Sequence, residues 1–168
     1  MNCTRQDLIN QVARVRANGT LALYQRAATA HGLPVALVVG VASRETNCQN
    51  ELGDYDSDNT PRAVGSMQLD VQHALARQAI ADGSWRNNQW PIIDACCAIL
   101  AAGVAWAKAT YPAFTERQWY KLGADAYNGG LGGAAAGARH GNADLYTTGH
   151  DYGSDVLERM DVLEGLLT

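Results

Sequence analysis

Apolar residues recur at helical spacing through most of the chain, and short polar segments separate the helices that this spacing predicts. Thr4 followed by Asp7 is typical of a capping box and predicts a first helix that ends before Gly19. Thr20 opens a second apolar-periodic segment, which Gly32 terminates. The N-terminal part of the chain is therefore expected to form two consecutive helices.

The later segments follow the same pattern. Pro34 stands at a favourable first helical position for a third helix, and helical periodicity returns over residues 71–82. Pro91 opens a long Ala-rich helix to about Thr110, which is apolar over most of its surface and is expected to be central. Thr115 caps another helix, and a glycine-rich stretch, a shorter helix and a C-terminal helix follow.

Residues 47–65 interrupt the helical pattern. They are rich in Asp, Asn, Gly, Thr and Pro, which predicts a long loop, and a loop of this length in a compact domain is usually functional. Any strands must lie here. The predicted fold is mainly α with a small β-hairpin, and 168 residues without a visible linker predict a single domain over 1–168.

Composition and charge narrow the possible partners. The chain is 47% hydrophobic and 18% charged, as expected for an ordered globular protein, and its net charge of -4 argues against nucleic acid as a partner. The apolar run from Ala95 to Ala107 is shorter than the about 20 residues that span a membrane, so no membrane insertion is expected. No signal peptide is visible at the start of the sequence.

The four cysteines favour an exported protein. Cys96 and Cys97 are adjacent and poorly placed to bond each other, so the hypothesis is that each pairs with Cys3 or Cys48. Four buried free thiols in a reducing compartment are the alternative.

An acidic residue ends the most apolar of the predicted helices. Val35, Val38, Ala42 and Glu45 are spaced three, four and three apart, so they share one helix face. A carboxyl group beside such a stripe is disfavoured in its charged form, which would raise its pKa as a general acid requires. The alternative is that the helix frays and Glu45 is a solvated end residue.

The loop after Glu45 supplies further carboxylates. A protonated and an ionised carboxyl group that face each other across a cleft are the minimum requirement for hydrolysing a glycosidic bond. The candidates for the second group are Asp54, Asp56, Asp58 and Asp70.

Calcium binding is a competing interpretation of the same loop. Asp54, Asp56 and Asp58 match the first alternating ligands of an EF-hand, but Asn59 replaces its Gly and Gly65 its bidentate Glu. We therefore expect no metal site.

Four segments, taken in order, resemble the goose-type lysozymes of glycoside hydrolase family 23, which are relatives of the soluble lytic transglycosylases. They are "SRET" with Glu45, "GD" followed by "GSMQLD", "AYNGG" and "TTGHDYGSDVLER". The resemblance covers roughly Val35 to Arg159 and implies a helical lysozyme-like domain with a small β-hairpin beside an active-site cleft.

The resemblance also implies roles for individual residues. Glu45 would be the general acid, and Asp54 and Asp70 match positions that hold or activate the attacking water. The loop between them carries the extra Asp56, which leaves the base open among these three aspartates. The residues that match the lining of the sugar cleft are Gln68, Tyr127, Asn128 and Tyr152. No cofactor is implied.

The expected function is therefore hydrolysis of the β-1,4 bonds between N-acetylmuramic acid and N-acetylglucosamine in peptidoglycan, with inversion. An acidic protein, at pI ≈ 5.4, is repelled by anionic cell walls, so a chitinase is one alternative. A lytic transglycosylase that leaves anhydro ends and a non-catalytic glycan-binding module are the others. We expect a monomer whose partner is a polysaccharide and which acts in the periplasm or after secretion.

Overall fold

The computed structural model describes residues 3–168, and most of them are helical. The α-helices are α1 Arg5–Ala17, α2 Thr20–His31, α3 Val35–Thr46, α4 Ala74–Asp82, α5 Trp90–Thr110, α6 Glu116–Arg139 and α7 Tyr152–Leu167. The strands are β1 Leu52–Tyr55, β2 Pro61–Val64 and β3 Leu69–Asp70. Short 3-10 helices occupy Ser84–Arg86, Ala143–Tyr146 and Thr148–His150. The prediction of a mainly α, lysozyme-like fold is confirmed.

Local sequence signals explain where several helices begin and end. Thr4 and Asp7 form the predicted capping box of α1, and Gly32 ends α2 in the left-handed conformation. Pro34 differs from the prediction, because it is extended and precedes α3 instead of forming its first turn. α4 begins later than predicted, where the His73 imidazole accepts a hydrogen bond from the Leu75 amide at 3.3 Å.

α3 is the most deeply buried helix. Every residue from Ala36 to Ser43 is buried, and one side of the helix packs against α7. A Cβ at Gly40 would lie 3.2 Å from the Val156 carbonyl oxygen, so glycine permits this close approach. α5 packs on α2 and α6 and completes the core.

The loop after α3 contains a small antiparallel sheet in the order β1-β2-β3. Leu52 pairs with Val64, which in turn pairs with Leu69. The predicted β-hairpin is therefore present, and β3 adds a third strand to it.

α6 continues through the glycine-rich stretch that was expected to be a separate segment. The chain departs from helical geometry only at Gly130, whose φ of 72° is in the left-handed region. Helical geometry resumes at once, so residues 116–139 form two helical segments joined at this glycine.

α5 is longer than the apolar run seen in the sequence. Its 21 residues have a mean hydropathy of 1.7 in an 18-residue window, which by length and composition is enough to cross a membrane. The same composition suits a core helix, and the contacts with α2 and α6 are those of one.

The expected disulfides are not formed. Cys3, Cys48, Cys96 and Cys97 are free, buried thiols. Cys3 and Cys48 instead contact the two ends of the Gln11 amide, each at 3.7 Å, while Cys96 and Cys97 are fully buried in α5. The structure therefore has the alternative arrangement, four buried free cysteines.

Candidate active site

A cleft of ≈ 520 Å³ lies where the end of α3, the sheet, the middle of α6 and the start of α7 meet. All seven site residues predicted from the sequence lie on its walls. The lining residues are Arg44, Glu45, Asp54, Ala63, Gln68, Asp70, Tyr127, Asn128, Thr148 and Tyr152. Arg44, Ala63 and Thr148 were not predicted from the sequence, although Arg44 and Thr148 lie within two of the matching segments.

Glu45 lies inside α3, one residue before its end, so the helix is not frayed there. The side chain is half-buried and accepts a hydrogen bond of 2.5 Å from the Tyr152 hydroxyl. Burial raises the pKa of Glu45; the Tyr152 hydrogen bond and the Arg44 charge oppose the rise, and the charge of Asp54 adds to it. The net direction is upward, as a proton donor requires.

An ion-pair network fixes the end of α3 to α7. Arg44 donates to Asp155 at 2.9 Å and to Asp151 at 2.8 Å. Arg159 donates to the same Asp155 at 2.8 Å and to the Ser43 hydroxyl at 2.8 Å. Because Asp155 and Arg159 are buried, these charge-assisted bonds hold the two residues that precede Glu45 in one position.

Two residues of the "AYNGG" segment form the α6 side of the cleft. The Tyr127 hydroxyl donates to the Met67 carbonyl at 2.6 Å, which joins α6 to the chain just before β3. The Asn128 side-chain oxygen accepts from the Thr148 amide at 2.8 Å. Both contacts hold wall segments together, and the amide nitrogen of Asn128 is the donor that remains for a ligand.

The sheet forms a further wall of the cleft, and local backbone strain is found there. Asp54 and Gln68 have φ values of 51° and 55°, which are uncommon for residues other than glycine. The Gln68 amide donates to the Gly65 carbonyl at 2.8 Å, and a Cβ at Gly53 would lie only 2.0 Å from its oxygen. Glycine at position 53 therefore makes room for Gln68 between the strands.

Of the four aspartates considered for the second carboxylate, two line the cleft. Asp54 and Asp70 are both exposed, and Asp70 accepts a hydrogen bond from the Gln72 amide at 2.6 Å. Asp56 instead pairs with Arg62 at 3.1 Å, outside the cleft.

Asp58 caps the turn of the hairpin by accepting from the Thr60 amide at 3.0 Å. Two of the three carboxylates that the calcium interpretation would need, those of Asp56 and Asp58, are thus engaged within the hairpin. Over residues 3–168 no group of three His, Cys, Asp or Glu side chains is arranged to hold a metal.

A mainly helical fold with a small antiparallel sheet beside a carboxylate-bearing cleft is the architecture of the lysozyme-like class. A family model described as Lysozyme g matches residues 16–163. The chain is 31% identical over 134 residues to Lysozyme g of Epinephelus coioides, which covers 77% of this chain and 66% of that protein. It is 30% identical over 124 residues to Lysozyme g of Casuarius casuarius, an alignment that covers 74% of this chain and 61% of that protein.

The chain therefore belongs to the Lysozyme g family. The alignments cover slightly less than two thirds of the length of these relatives.

Proposed function

We propose that the protein is a glycoside hydrolase that cleaves the β-1,4 bonds between N-acetylmuramic acid and N-acetylglucosamine in peptidoglycan. The observation that carries the proposal is the pair of unlike carboxyl environments in one cleft. Glu45 is half-buried and bonded to Tyr152, and its pKa is raised, whereas Asp54 and Asp70 are exposed on the sheet wall of the same cleft. Membership of the Lysozyme g family supports the same activity.

In the proposed reaction, Glu45 donates its proton to the bridging oxygen as the bond from that oxygen to C1 breaks. A water molecule attacks C1 from the opposite face and loses a proton to an aspartate, so the anomeric configuration inverts. Glu45 then regains a proton from solvent, and the aspartate releases one. An inverting pair needs its carboxyl groups about 6.5–9.5 Å apart, with room for the water between them.

We assign the base first to Asp54 and second to Asp70. Asp54 is the aspartate whose charge raises the pKa of Glu45, so the two carboxyl groups interact across the cleft. Its left-handed backbone is the kind of strain that accumulates at functional sites. Asp70 lies in the same wall, but one of its oxygens is already occupied by the Gln72 amide.

Substrate binding is assigned to the remaining wall residues. The amide nitrogen of Asn128 can donate to the carbonyl of an acetamido group, and the half-buried ring of Tyr127 and the amide of Gln68 border the sugar path. Tyr152 is buried and bonded to Glu45, so its role is to hold the acid and not to stack on a sugar. All of these residues belong to one chain, so we propose that the monomer is active.

Chitin is the second candidate substrate, because the net charge of -4 disfavours approach to an anionic wall polymer. Transglycosylation is the alternative reaction, in which the 6-hydroxyl of the muramic acid attacks C1 in place of water and leaves an anhydro end. That route needs no base for water, so the two exposed aspartates in the cleft favour hydrolysis. A peptidoglycan substrate would require the protein to act outside the cytoplasmic membrane.

The test is to measure release of soluble fragments from purified sacculi and from chitin oligomers. We expect turnover of sacculi by the wild type, loss of turnover in Glu45→Gln, and wild-type turnover in the matched control Asp56→Asn. Faster cleavage of chitin oligomers than of sacculi would favour the chitinase. Glycan binding without cleavage by the wild type would identify a binding module and overturn the proposal.

A further inference from the structure

The first turn of α7 is capped by a residue from outside the helix. Asp151 precedes the helix and makes no side-chain capping bond. Instead, the Asp144 carboxylate accepts from the Gly153 amide at 2.7 Å, from the Ser154 amide at 3.3 Å and from the Ser154 hydroxyl at 2.6 Å. A carboxylate on free amides at a helix start is favourable, because it satisfies donors that have no partner within the helix.

A second carboxylate and a lysine complete this cluster. Asp125, which is fully buried in α6, accepts from the same Gly153 amide at 3.0 Å. Lys121 donates to Asp144 at 2.6 Å and to Asp125 at 3.3 Å. A Cβ at Gly153 would lie 2.4 Å from an Asp125 oxygen, so only glycine fits between the helices at this point.

The backbone of Asp144 also reaches Tyr152. Its carbonyl accepts from the Thr147 hydroxyl at 2.8 Å, and the Thr147 oxygen accepts from the Tyr152 amide at 3.3 Å. The carbonyl of Asp144 therefore holds Tyr152 by way of Thr147, and its carboxylate holds Gly153 and Ser154. Tyr152 is the residue whose hydroxyl contacts Glu45.

We propose that Asp144, supported by Asp125 and Lys121, positions the Tyr152 hydroxyl on Glu45 by fixing the first turn of α7. The three are positioning residues, since none of them lines the cleft. This positioning role adds to the proposed function. Only its effect on catalysis rests on that function. The structural part, contact between Tyr152 and Glu45, is measurable without turnover.

The charge state of the cluster suits this role. Burial and the neighbouring Asp144 raise the pKa of Asp125 to about 7. Burial also acts on Asp144, but its bonds to Asp125, Lys121 and Ser154 outweigh it and lower the pKa to about 2. Below neutral pH the cluster therefore holds one carboxylate, one protonated carboxyl group and one ammonium group, with no net charge.

The test measures the pKa of Glu45 by ¹³C NMR, with Glu45→Gln used to identify its resonance. The Tyr152 hydroxyl stabilises the ionised form of Glu45, so losing it raises the pKa. If Asp144 acted on Glu45 only through the electrostatic effect of its charge, removing that negative charge would instead lower the pKa of Glu45. The positioning role and the charge effect thus predict pKa changes of opposite sign for Glu45 in Asp144→Ala.

We expect Asp144→Ala to raise the pKa of Glu45 by about one unit, the same rise that we expect for Tyr152→Phe. Adding Asp144→Ala to Tyr152→Phe should give no further rise, because the contact is already lost. Gly153→Ala disturbs the same turn without changing any charge, and it should also raise the pKa. It keeps the test decisive if Asp144→Ala fails to fold.

Two variants serve as controls. Asp144→Asn keeps an oxygen for the two amides and should restore most of the wild-type pKa. Asp161→Asn breaks an exposed ion pair with Arg117, which also joins α6 to α7 but lies two turns further along α7, and it should leave Glu45 unchanged.

An unchanged or lowered pKa of Glu45 in both Asp144→Ala and Gly153→Ala would overturn the positioning role. If these shifts occur but the wild type cleaves neither sacculi nor chitin oligomers, the proposed function fails while the positioning role stands.

Discussion

The two walls of the cleft hold their carboxyl groups in opposite ways. On the helical wall, Glu45 lies in a buried helix and accepts a hydrogen bond from the Tyr152 hydroxyl, while Arg44 joins the end of that helix to Asp155. On the sheet wall, Asp54 and Asp70 are exposed on short strands. Burial favours the protonated form and exposure the ionised form. The difference is the one that the proposed acid and base require within one cavity.

The walls also differ in what supports them. Behind the helical wall lie buried ionisable side chains, those of Asp155, Arg159, Asp125 and Asp144. The sheet wall is supported by backbone pairing and by the Gln68 amide. Substitutions on the helical wall should therefore act mainly on the pKa of Glu45. Those on the sheet wall should act mainly on the rate, with a smaller effect on that pKa from Asp54, whose charge raises it.

The largest effect is expected from Glu45→Gln, which leaves the shape of the helical wall but removes the proton. A positioned general acid contributes about 10²–10⁴-fold, so kcat on sacculi should fall by that factor. Steady-state release of muropeptides measures it, with circular dichroism to confirm that α3 is intact. A decrease of less than tenfold would remove Glu45 from the reaction.

The next largest effect is expected on the sheet wall. Asp54→Asn should lower kcat by about 10²-fold, because it removes the proposed base, and Asp70→Asn should lower it less. Neither should move the alkaline limb of the rate profile by as much as a change at Tyr152. If Asp70→Asn is the more damaging variant, the assignments of the two aspartates must be exchanged.

Tyr152→Phe sharpens the comparison through pH. Removing the hydroxyl withdraws a bond that favours ionised Glu45, so its pKa should rise by about one unit. The rate falls where Glu45 ionises, and the alkaline limb should therefore move to higher pH. A profile of kcat/KM from pH 4 to 9 measures the shift, and a movement toward acid would contradict the contact.

The last prediction concerns stability and not turnover. The pKa of Asp125 is about 7 in the folded protein against 3.8 ordinarily, so the unfolded chain loses this proton first as pH rises. Stability from this group is present below pH 3.8 and is lost as pH rises to about 7. Asp125→Asn cannot ionise, so its Tm should improve by several degrees relative to wild type between pH 4 and 7. If the difference in Tm between Asp125→Asn and wild type stayed constant between pH 4 and 7, Asp125 would not bind the extra proton in the folded protein.

Local signals in the sequence predicted much of the fold. The capping box at Thr4 and the glycine at position 32 define helix ends through interactions within a few residues, and α1 and α2 follow them. The continuation of α6 past Gly130 was not predicted, because one left-handed residue interrupts the helix while tertiary contacts with Ala143–Tyr146 keep the second segment in place.

The site was predictable only in part. The apolar stripe indicated that Glu45 would be desolvated, since that depends on its own helix. Which aspartates reach the cleft depends on strand register, and Asp56 could be separated from Asp54 only once its pairing with Arg62 was seen. Asp144 acts on Tyr152 through bonds between three separate elements, which no sequence spacing predicts.

The most direct test of hydrolysis by Glu45 and a water on the sheet wall is mass spectrometry of products from sacculi digested in H₂¹⁸O. We predict one ¹⁸O atom at each new reducing end, no anhydro ends, and no such products from Glu45→Gln. Anhydro ends without ¹⁸O would contradict the account, because the 6-hydroxyl of the sugar would then have taken the place of water.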